Sequence, residues 1–245
     1  MKNIFTIAQR VLQQLKRDKK FFLLTLTAPF VVIYFLKLFL DTLPATIPAA
    51  QYVMPLAAFV VFFFSFLLCA ILLVQERTQG TLERLFINDV TRTEIIAGYT
   101  LGYMLLATLV AGTILAESLY LFNLSYSWSK IFSLFAIMWL VSLTSIMLGI
   151  FISTFARTQA QLFPFIPLIA LPSLFLSGML SDISLLPNWA QNSAHAVPLY
   201  YANTAIKKIL TDTPNFIDIL PSIAMLIFWA LLLLTLASHT FKETE

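Results

Sequence analysis

Charged side chains are scarce in this sequence of 245 residues. Aspartate, glutamate, lysine and arginine make up 11% of the chain, whereas hydrophobic residues make up 60%. A soluble domain usually contains about 25% charged residues. The mean hydropathy of +0.88 is correspondingly high. The composition therefore excludes a water-soluble domain and predicts an integral membrane protein.

The residues needed for catalysis, nucleotide binding or metal binding are also missing. None of the six glycines is followed by lysine, which excludes a Walker A loop. One cysteine, Cys69, cannot form an intrachain disulfide, and with only His195 and His239 beside it no zinc ligand set is available. We therefore predict no enzyme activity, no metal site and no cofactor bound by this chain itself.

Long apolar runs are the main feature that is present. A membrane-crossing helix needs about 20 predominantly apolar residues. Six runs of this kind predict six transmembrane helices, at residues 21–40, 53–74, 95–122, 131–155, 162–180 and 216–237. The first run is longer than the core of a signal peptide and no small-residue cleavage site follows it, so we expect it to be retained. The sequence predicts an all-α polytopic membrane protein with a single transmembrane domain over residues 1–245.

The basic residues predict the orientation of these helices. Six crossings bring both termini to one side, and eleven of the fifteen lysines and arginines fall on that side. Lysine and arginine are enriched in cytoplasmic loops, so we predict cytoplasmic termini in the plasma or inner membrane. Six of these basic residues lie within residues 1–20, directly before an apolar run. This placement favours membrane lipids as a partner and argues against nucleic acid.

Residues 1–20 are predicted to form an amphipathic helix on the cytoplasmic surface. Apolar residues recur there at helical spacing, and polar or basic residues occupy the remaining positions. The apolar positions are Ile4, Ile7, Val11, Leu12 and Leu15.

The segment between the second and third runs is dense in charge of both signs. Thr91 and Glu94 have the spacing of a capping box, and Val90 with Ile95 has that of a hydrophobic staple, so the third helix is predicted to start there. Gly80 is suited to a bend. The seven charged residues are Glu76, Arg77, Glu83, Arg84, Asp89, Arg92 and Glu94. Such an ordered, charged segment predicts a polar partner on the cytoplasmic side.

Residues inside the apolar runs are candidates for a transport pathway. Glu117, near the outer end of the third run, either contacts a substrate or has a structural role. Lys37 and Asp41, one helical turn apart, are expected to pair. The second run is rich in phenylalanine, and these side chains either line a path or face lipid. The fifth run is rich in proline, and these residues either line a path or introduce kinks that serve helix packing. These candidates are Phe59, Phe63 and Phe66, with Phe62 and Phe64 beside them, and Pro164, Pro167 and Pro172.

The stretch ERTQGTLERL resembles the E-R-x-x-G-T-L-E-x-L signature of ABC type-2 transporter permeases, the membrane subunits of ATP-binding cassette exporters. The matching positions are Glu76, Arg77, Gly80, Thr81, Leu82, Glu83 and Leu85. A second stretch is similar to the end of the fifth span and the outer loop of drug-exporting and nodulation-type members. Its matching positions are Ser177, Gly178, Pro187, Trp189, Pro198, Leu199 and Tyr201.

The resemblance implies a coupling helix at about residues 78–88 that docks on a separate ATPase subunit. The residues implied in coupling are Glu76, Arg77, Gly80, Thr81, Leu82, Glu83, Arg84, Leu85 and Phe86. The resemblance also implies two copies of the ATPase, which bind ATP and magnesium. It further implies a second permease subunit, either identical to this chain or different from it. The transport path is then expected to lie between the two permeases, lined by the second and fifth spans. Glu76 and Glu83 are expected to meet Arg10, Lys16 or Arg17 of the N-terminal helix.

The function implied is export of a hydrophobic or amphiphilic compound, such as a drug, an antibiotic or a lipid-like molecule. Three alternatives remain open at this point. One is an exporter permease for a polysaccharide or teichoic acid. Another is a secondary carrier or channel that needs no ATPase, driven by an ion gradient. The third is a membrane anchor or immunity protein that transports nothing.

Overall fold

The computed structural model describes residues 2–42, 50–81, 85, 90–210 and 216–240, and the regular structure of these residues is entirely helical. The prediction of an all-α fold is therefore confirmed. The helices are α1 (Lys2–Arg17), α2 (Lys19–Asp41), α3 (Ala50–Thr78), α4 (Arg92–Leu121), α5 (Trp128–Ser153), α6 (Phe165–Leu176), α7 (Asn188–Ala194), α8 (Pro198–Leu210) and α9 (Phe216–Thr240). Short 3-10 turns occupy Gln159–Leu162 and Ile183–Leu185.

Within the described residues, six helical stretches are long and apolar enough to cross a membrane, as the sequence predicts. They are Phe22–Asp41, Gln51–Thr78, Arg92–Leu121, Trp128–Ser153, Gln159–Leu176 and Phe216–Thr240. The fifth ends at Leu176, whereas the hydrophobic run predicted an end at residue 180. The helix stops early because Gly178 adopts a φ of +73°, a left-handed conformation that ends helices.

Helix α3 lies at the centre of the bundle and packs most closely against α5. The hydroxyl of Ser145 on α5 donates a hydrogen bond to the backbone oxygen of Phe62 on α3. A Cβ atom added to Gly149 would lie 2.9 Å from the backbone oxygen of Phe66, so only glycine permits this approach. Burial of the most apolar stretch differs among the spans. In the second span 72% of that stretch is buried inside the chain, against 22% in the first span and 11% in the fifth. The first and fifth spans are therefore largely uncovered by the rest of the chain.

Candidate coupling site and transport pathway

The carboxylate of Glu76, near the end of α3, is buried in a cluster that joins three helices. The guanidinium of Arg10 on α1 and the hydroxyl of Tyr99 on α4 both donate hydrogen bonds to Oε2 of Glu76. Arg10 Nη2 also donates to the Tyr99 hydroxyl at 2.8 Å. Glu76 is only 2% exposed. Because a buried carboxylate is strongly unfavourable without partners, this cluster holds the end of α3 against α1 and α4.

Two glycines of α4 allow α1 to approach closely enough for this contact. A Cβ atom added to Gly98 would lie 2.6 Å from Cβ of Ile7, and one added to Gly102 would lie 2.8 Å from Cβ of Val11. The side chains of Ile7 and Val11 are almost fully buried as a result. The apolar face of the predicted N-terminal helix thus packs against α4 at Ile7 and Val11.

The start of α4 has the capping geometry that the sequence predicts. The side chain of Thr91 accepts a hydrogen bond from the backbone N–H of Glu94, and the Glu94 side chain accepts one from the backbone N–H of Thr91. Ile95 is buried, and Val90 packs against the same hydrophobic cluster. Asn3 of α1 donates a hydrogen bond to the Glu94 carboxylate at 3.4 Å. The capping box therefore also fixes the beginning of α1.

Arg77, next to Glu76, contacts the far end of α5. Its Nη1 atom donates to the backbone oxygen of Ser153 at 2.9 Å and lies 3.4 Å from that of Ala156. The last carbonyl groups of a helix have no partner within the helix, and a cationic donor satisfies them well. Consecutive residues at the end of α3 therefore hold α1 and α4 on one side and α5 on the other.

The remainder of the predicted coupling segment is described in part. Gly80 has a φ of +67°, consistent with the predicted bend. Leu85 is half-buried against the cluster that includes Ile95 and Tyr99. Leu82, Glu83, Arg84 and Phe86 lie outside the described residues, as does the predicted contact of Glu83 with α1. Of the three basic residues expected to meet Glu76, it is Arg10 that does so.

A polar recess of about 590 Å³ lies beside this segment. Residues of α1, the end of α3 and the bend after it line the recess. They are Arg10, Gln13, Gln14, Arg17, Asp18, Glu76, Gln79 and Thr81. The recess places side chains of both charge signs around the start of the predicted coupling segment.

The pathway candidates do not come together within one chain. The rings of Phe59 and Phe63 stack at 6.1 Å between centroids, whereas Phe66 is 2% exposed in a cluster with Leu162. The three prolines lie on the exposed face of the Gln159–Leu176 span. Phe165 and Ile169, on the other face of α6, pack against the cluster that contains Phe66.

Glu117 is buried in α4, with 7% of its surface exposed. Among the described residues, neither of its carboxylate oxygens has a hydrogen-bond partner. The predicted ion pair near the C-terminal end of the first span is present, with Lys37 Nζ 2.6 Å from a carboxylate oxygen of Asp41.

Two side chains of α8 that the sequence analysis did not single out hold the C-terminal end of α6. Asn203 Nδ2 donates to the backbone oxygen of Ser177 at 2.8 Å, and Lys207 Nζ donates to that of Gly178 at 2.8 Å. The spacing of four residues puts Asn203 and Lys207 on one face of a helix. That spacing of an amide and an amine side chain on one helix face was a signal available in the sequence. The turn at Ser177 and Gly178 is thereby fixed to α8.

Comparison with known proteins agrees with this architecture. The model of the ABC-2 type transporter family matches residues 2–211. The chain is 27% identical over 135 residues to the probable multidrug ABC transporter permease YbhR of Escherichia coli (strain K12), covering 55% of this chain and 36% of YbhR. It is 27% identical over 158 residues to the linearmycin resistance permease protein LnrN of Bacillus subtilis (strain 168), covering 64% of this chain and 40% of LnrN. The aligned part is thus less than half of either relative.

Proposed function

This chain belongs to the ABC-2 type transporter family, and from that premise we propose that it is the membrane subunit of an ATP-binding cassette exporter. In this proposal a separate ATPase subunit binds ATP and magnesium and supplies the energy. The permease itself binds no nucleotide. The partner docks on the coupling segment at about residues 78–88, which follows the buried Glu76 and the anchored Arg77.

The observation that carries the proposal is the double anchoring of the end of α3. Glu76 is bonded to Arg10 of α1 and Tyr99 of α4, and Arg77 is bonded to the end of α5. A displacement of the segment after Gly80 would therefore act on three helices besides α3. A solvated connecting loop would need no such buried ionic contact at its root, because burying a charge is unfavourable unless it is paired.

The proposed mechanism follows from these contacts. Closure of the ATPase around ATP displaces the docked segment, and the Glu76 and Arg77 contacts transmit the displacement to α1, α4 and α5. An equilibrium between inward-facing and outward-facing states shifts only if the ATPase binds one of them more tightly. We propose that the contacts of Glu76 and Arg77 differ between the two states, so that tighter binding of the ATPase to one state favours one arrangement of these contacts.

The path itself is proposed to lie between two permease subunits, identical or different, with two ATPases below them. The support is that the first and fifth spans, in α2 and α6, are poorly covered by their own chain. The second span, which the resemblance implies lines the path together with the fifth, is 72% buried in its most apolar stretch. Pro172, an exposed proline inside α6, lacks the backbone donor that would satisfy the carbonyl of Leu168 four residues earlier. Carbonyl groups on an otherwise apolar face suit an amphiphilic cargo, and the names of the relatives, multidrug and linearmycin resistance permeases, point to the same class of compound.

The test is transport by the chain reconstituted with its ATPase into liposomes. We expect ATP-dependent movement of fluorescent amphiphiles, and we expect Glu76→Gln to lower the amount transported per ATP hydrolysed. Thr78→Ala is the matched control, because Thr78 is exposed at the same helix end and its hydroxyl donates a hydrogen bond to the backbone oxygen of Gln75.

Two outcomes would contradict the proposal. Uptake driven by an ion gradient, without ATP, would indicate a secondary carrier. ATP-dependent export of a polysaccharide, with no movement of amphiphiles, would keep the exporter assignment and overturn the proposed cargo.

A further inference from the structure

A groove of about 690 Å³ lies between the junction of α1 and α2 on one side and the middle of α4 on the other. Leu15 and Leu106, which are buried, form its floor. Leu23, Leu105 and Leu109 form its walls and are 62%, 53% and 52% exposed. The groove is therefore a strongly apolar slot on the outer surface of the chain, distinct from the polar recess beside Glu76.

The charged residues that line this groove are Lys16, near the end of α1, and Lys19, at the start of α2. Both are exposed, and among the described residues neither side chain forms an ion pair or a hydrogen bond. By contrast, Arg10 is paired with Glu76 and Lys37 with Asp41. The groove thus combines an apolar surface with two lysines whose charge the described part of the chain does not neutralise.

The position of the groove along the chain matches the boundary of a membrane. Lys16 and Lys19 precede the first span, which begins at Phe22. Leu105 and Leu109 lie within the third span and are about 6 Å apart along its axis, one helical turn. The groove accordingly runs from the level of lipid headgroups into the hydrocarbon region.

We propose that this groove binds an anionic phospholipid. The headgroup phosphate lies between Lys16 and Lys19, and one acyl chain lies along Leu105 and Leu109. A zwitterionic lipid offers the same acyl chain without the net negative charge, and a soluble phosphate offers the charge without the chain. Only an anionic lipid complements both halves of the groove.

A lipid bound there would contact α1, α2 and α4 together. Because α1 also carries Arg10, the lipid would help to hold α1 in the position that the buried Glu76 cluster requires. This inference concerns lipid binding by the permease chain alone and does not depend on the exporter proposal.

The experiment is native mass spectrometry of the purified chain titrated with phosphatidylglycerol or with phosphatidylcholine of the same acyl chains. We expect tighter binding of phosphatidylglycerol. We expect Lys16→Gln with Lys19→Gln to weaken it by about 30-fold, the factor that corresponds to about 1 kcal/mol for each of the two lysines. The matched control is Arg17→Gln with Lys20→Gln, which removes the same charge from the same segment without altering the groove lining. It is expected to change the affinity less than twofold.

A second variant tests the apolar half. Leu109→Trp fills the groove at an exposed position and is expected to weaken phosphatidylglycerol binding without removing charge. The proposal is overturned if the two double variants weaken binding equally, since that outcome indicates general surface charge. Equal binding of phosphatidylcholine and phosphatidylglycerol also overturns the proposal. Effective competition by soluble glycerol phosphate overturns it as well, because that result indicates an anion site that needs no acyl chain.

Discussion

The buried cluster of Arg10, Glu76 and Tyr99 provides a quantitative prediction for the substitution Arg10→Met. This change leaves the carboxylate of Glu76, 2% exposed, with only the hydroxyl of Tyr99 as a described partner. Removing one member of a buried ion pair costs about 3–5 kcal/mol. The side chain of Arg10 is 33% exposed, so solvent screens part of the interaction and we expect about 2–3 kcal/mol.

Thermal unfolding in detergent, followed by tryptophan fluorescence, measures this effect. For a chain of this size about 1 kcal/mol corresponds to about 2–4 °C, so Arg10→Met should lower the Tm by about 4–12 °C. Arg17→Met is the control, because Arg17 belongs to the same helix and is exposed. The double variant Arg10→Met with Glu76→Gln should lose less than the sum of its single variants, by about 1–3 kcal/mol.

A stabilising role of the buried Arg10–Glu76 pair is refuted if Arg10→Met and Arg17→Met unfold within about 1 °C of each other. It is also refuted if the effects of the Arg10 and Glu76 substitutions simply add. Either result would mean that α1 is held on α4 by its apolar face alone.

Three further predictions follow from other contacts. In the same unfolding assay, Gly98→Ala should destabilise the chain by about 1–3 kcal/mol, because the added methyl group meets Ile7. Gly112→Ala is the control and should be neutral or stabilising, because its added Cβ would lie 3.8 Å from the ring of Phe135. Arg77→Leu should accelerate amide hydrogen exchange near the end of α5, where it removes a donor from the Ser153 carbonyl, and unchanged exchange would contradict the capping role. Asn203→Ala should make the Ser177–Gly178 turn more sensitive to proteolysis, by a factor of about 5–30 if the lost hydrogen bond contributes about 1–2 kcal/mol.

Features set by neighbouring residues could be predicted from the sequence. The capping box of Thr91 and Glu94 depends on residues three positions apart, and the Lys37–Asp41 pair on residues four apart. The bend at Gly80 requires a local backbone conformation that glycine adopts readily. The six spans could also be predicted, because each requires only a sufficiently long apolar run.

Contacts between distant segments could not be predicted to the same extent. Nothing in the run around Tyr99 indicates that its hydroxyl meets Glu76, because the contact depends on how α3 and α4 pack. The spacing of Gly98 and Gly102 permits a close helix contact, but it does not indicate that the partner is α1. Phe66 could not be distinguished from Phe59 by residue type, since only the packing of α3 determines which phenylalanine is buried.

The most direct test of the central claim is whether the chain retains an ATP-binding cassette subunit through the segment that follows Glu76. The tagged chain is purified from its own host in mild detergent, and the eluate is assayed for ATPase activity. The variant Glu83→Arg with Leu85→Asp is compared with Asp182→Arg and Leu185→Asp in the loop after α6. Both variants must first unfold at the temperature of the wild type, because Leu85 is half-buried whereas Leu185 is exposed. We predict that the wild type and the control bring down the ATPase and that the Glu83 and Leu85 variant loses it. A well-folded wild type without any ATPase, or a docking variant that retains it fully, would contradict the account.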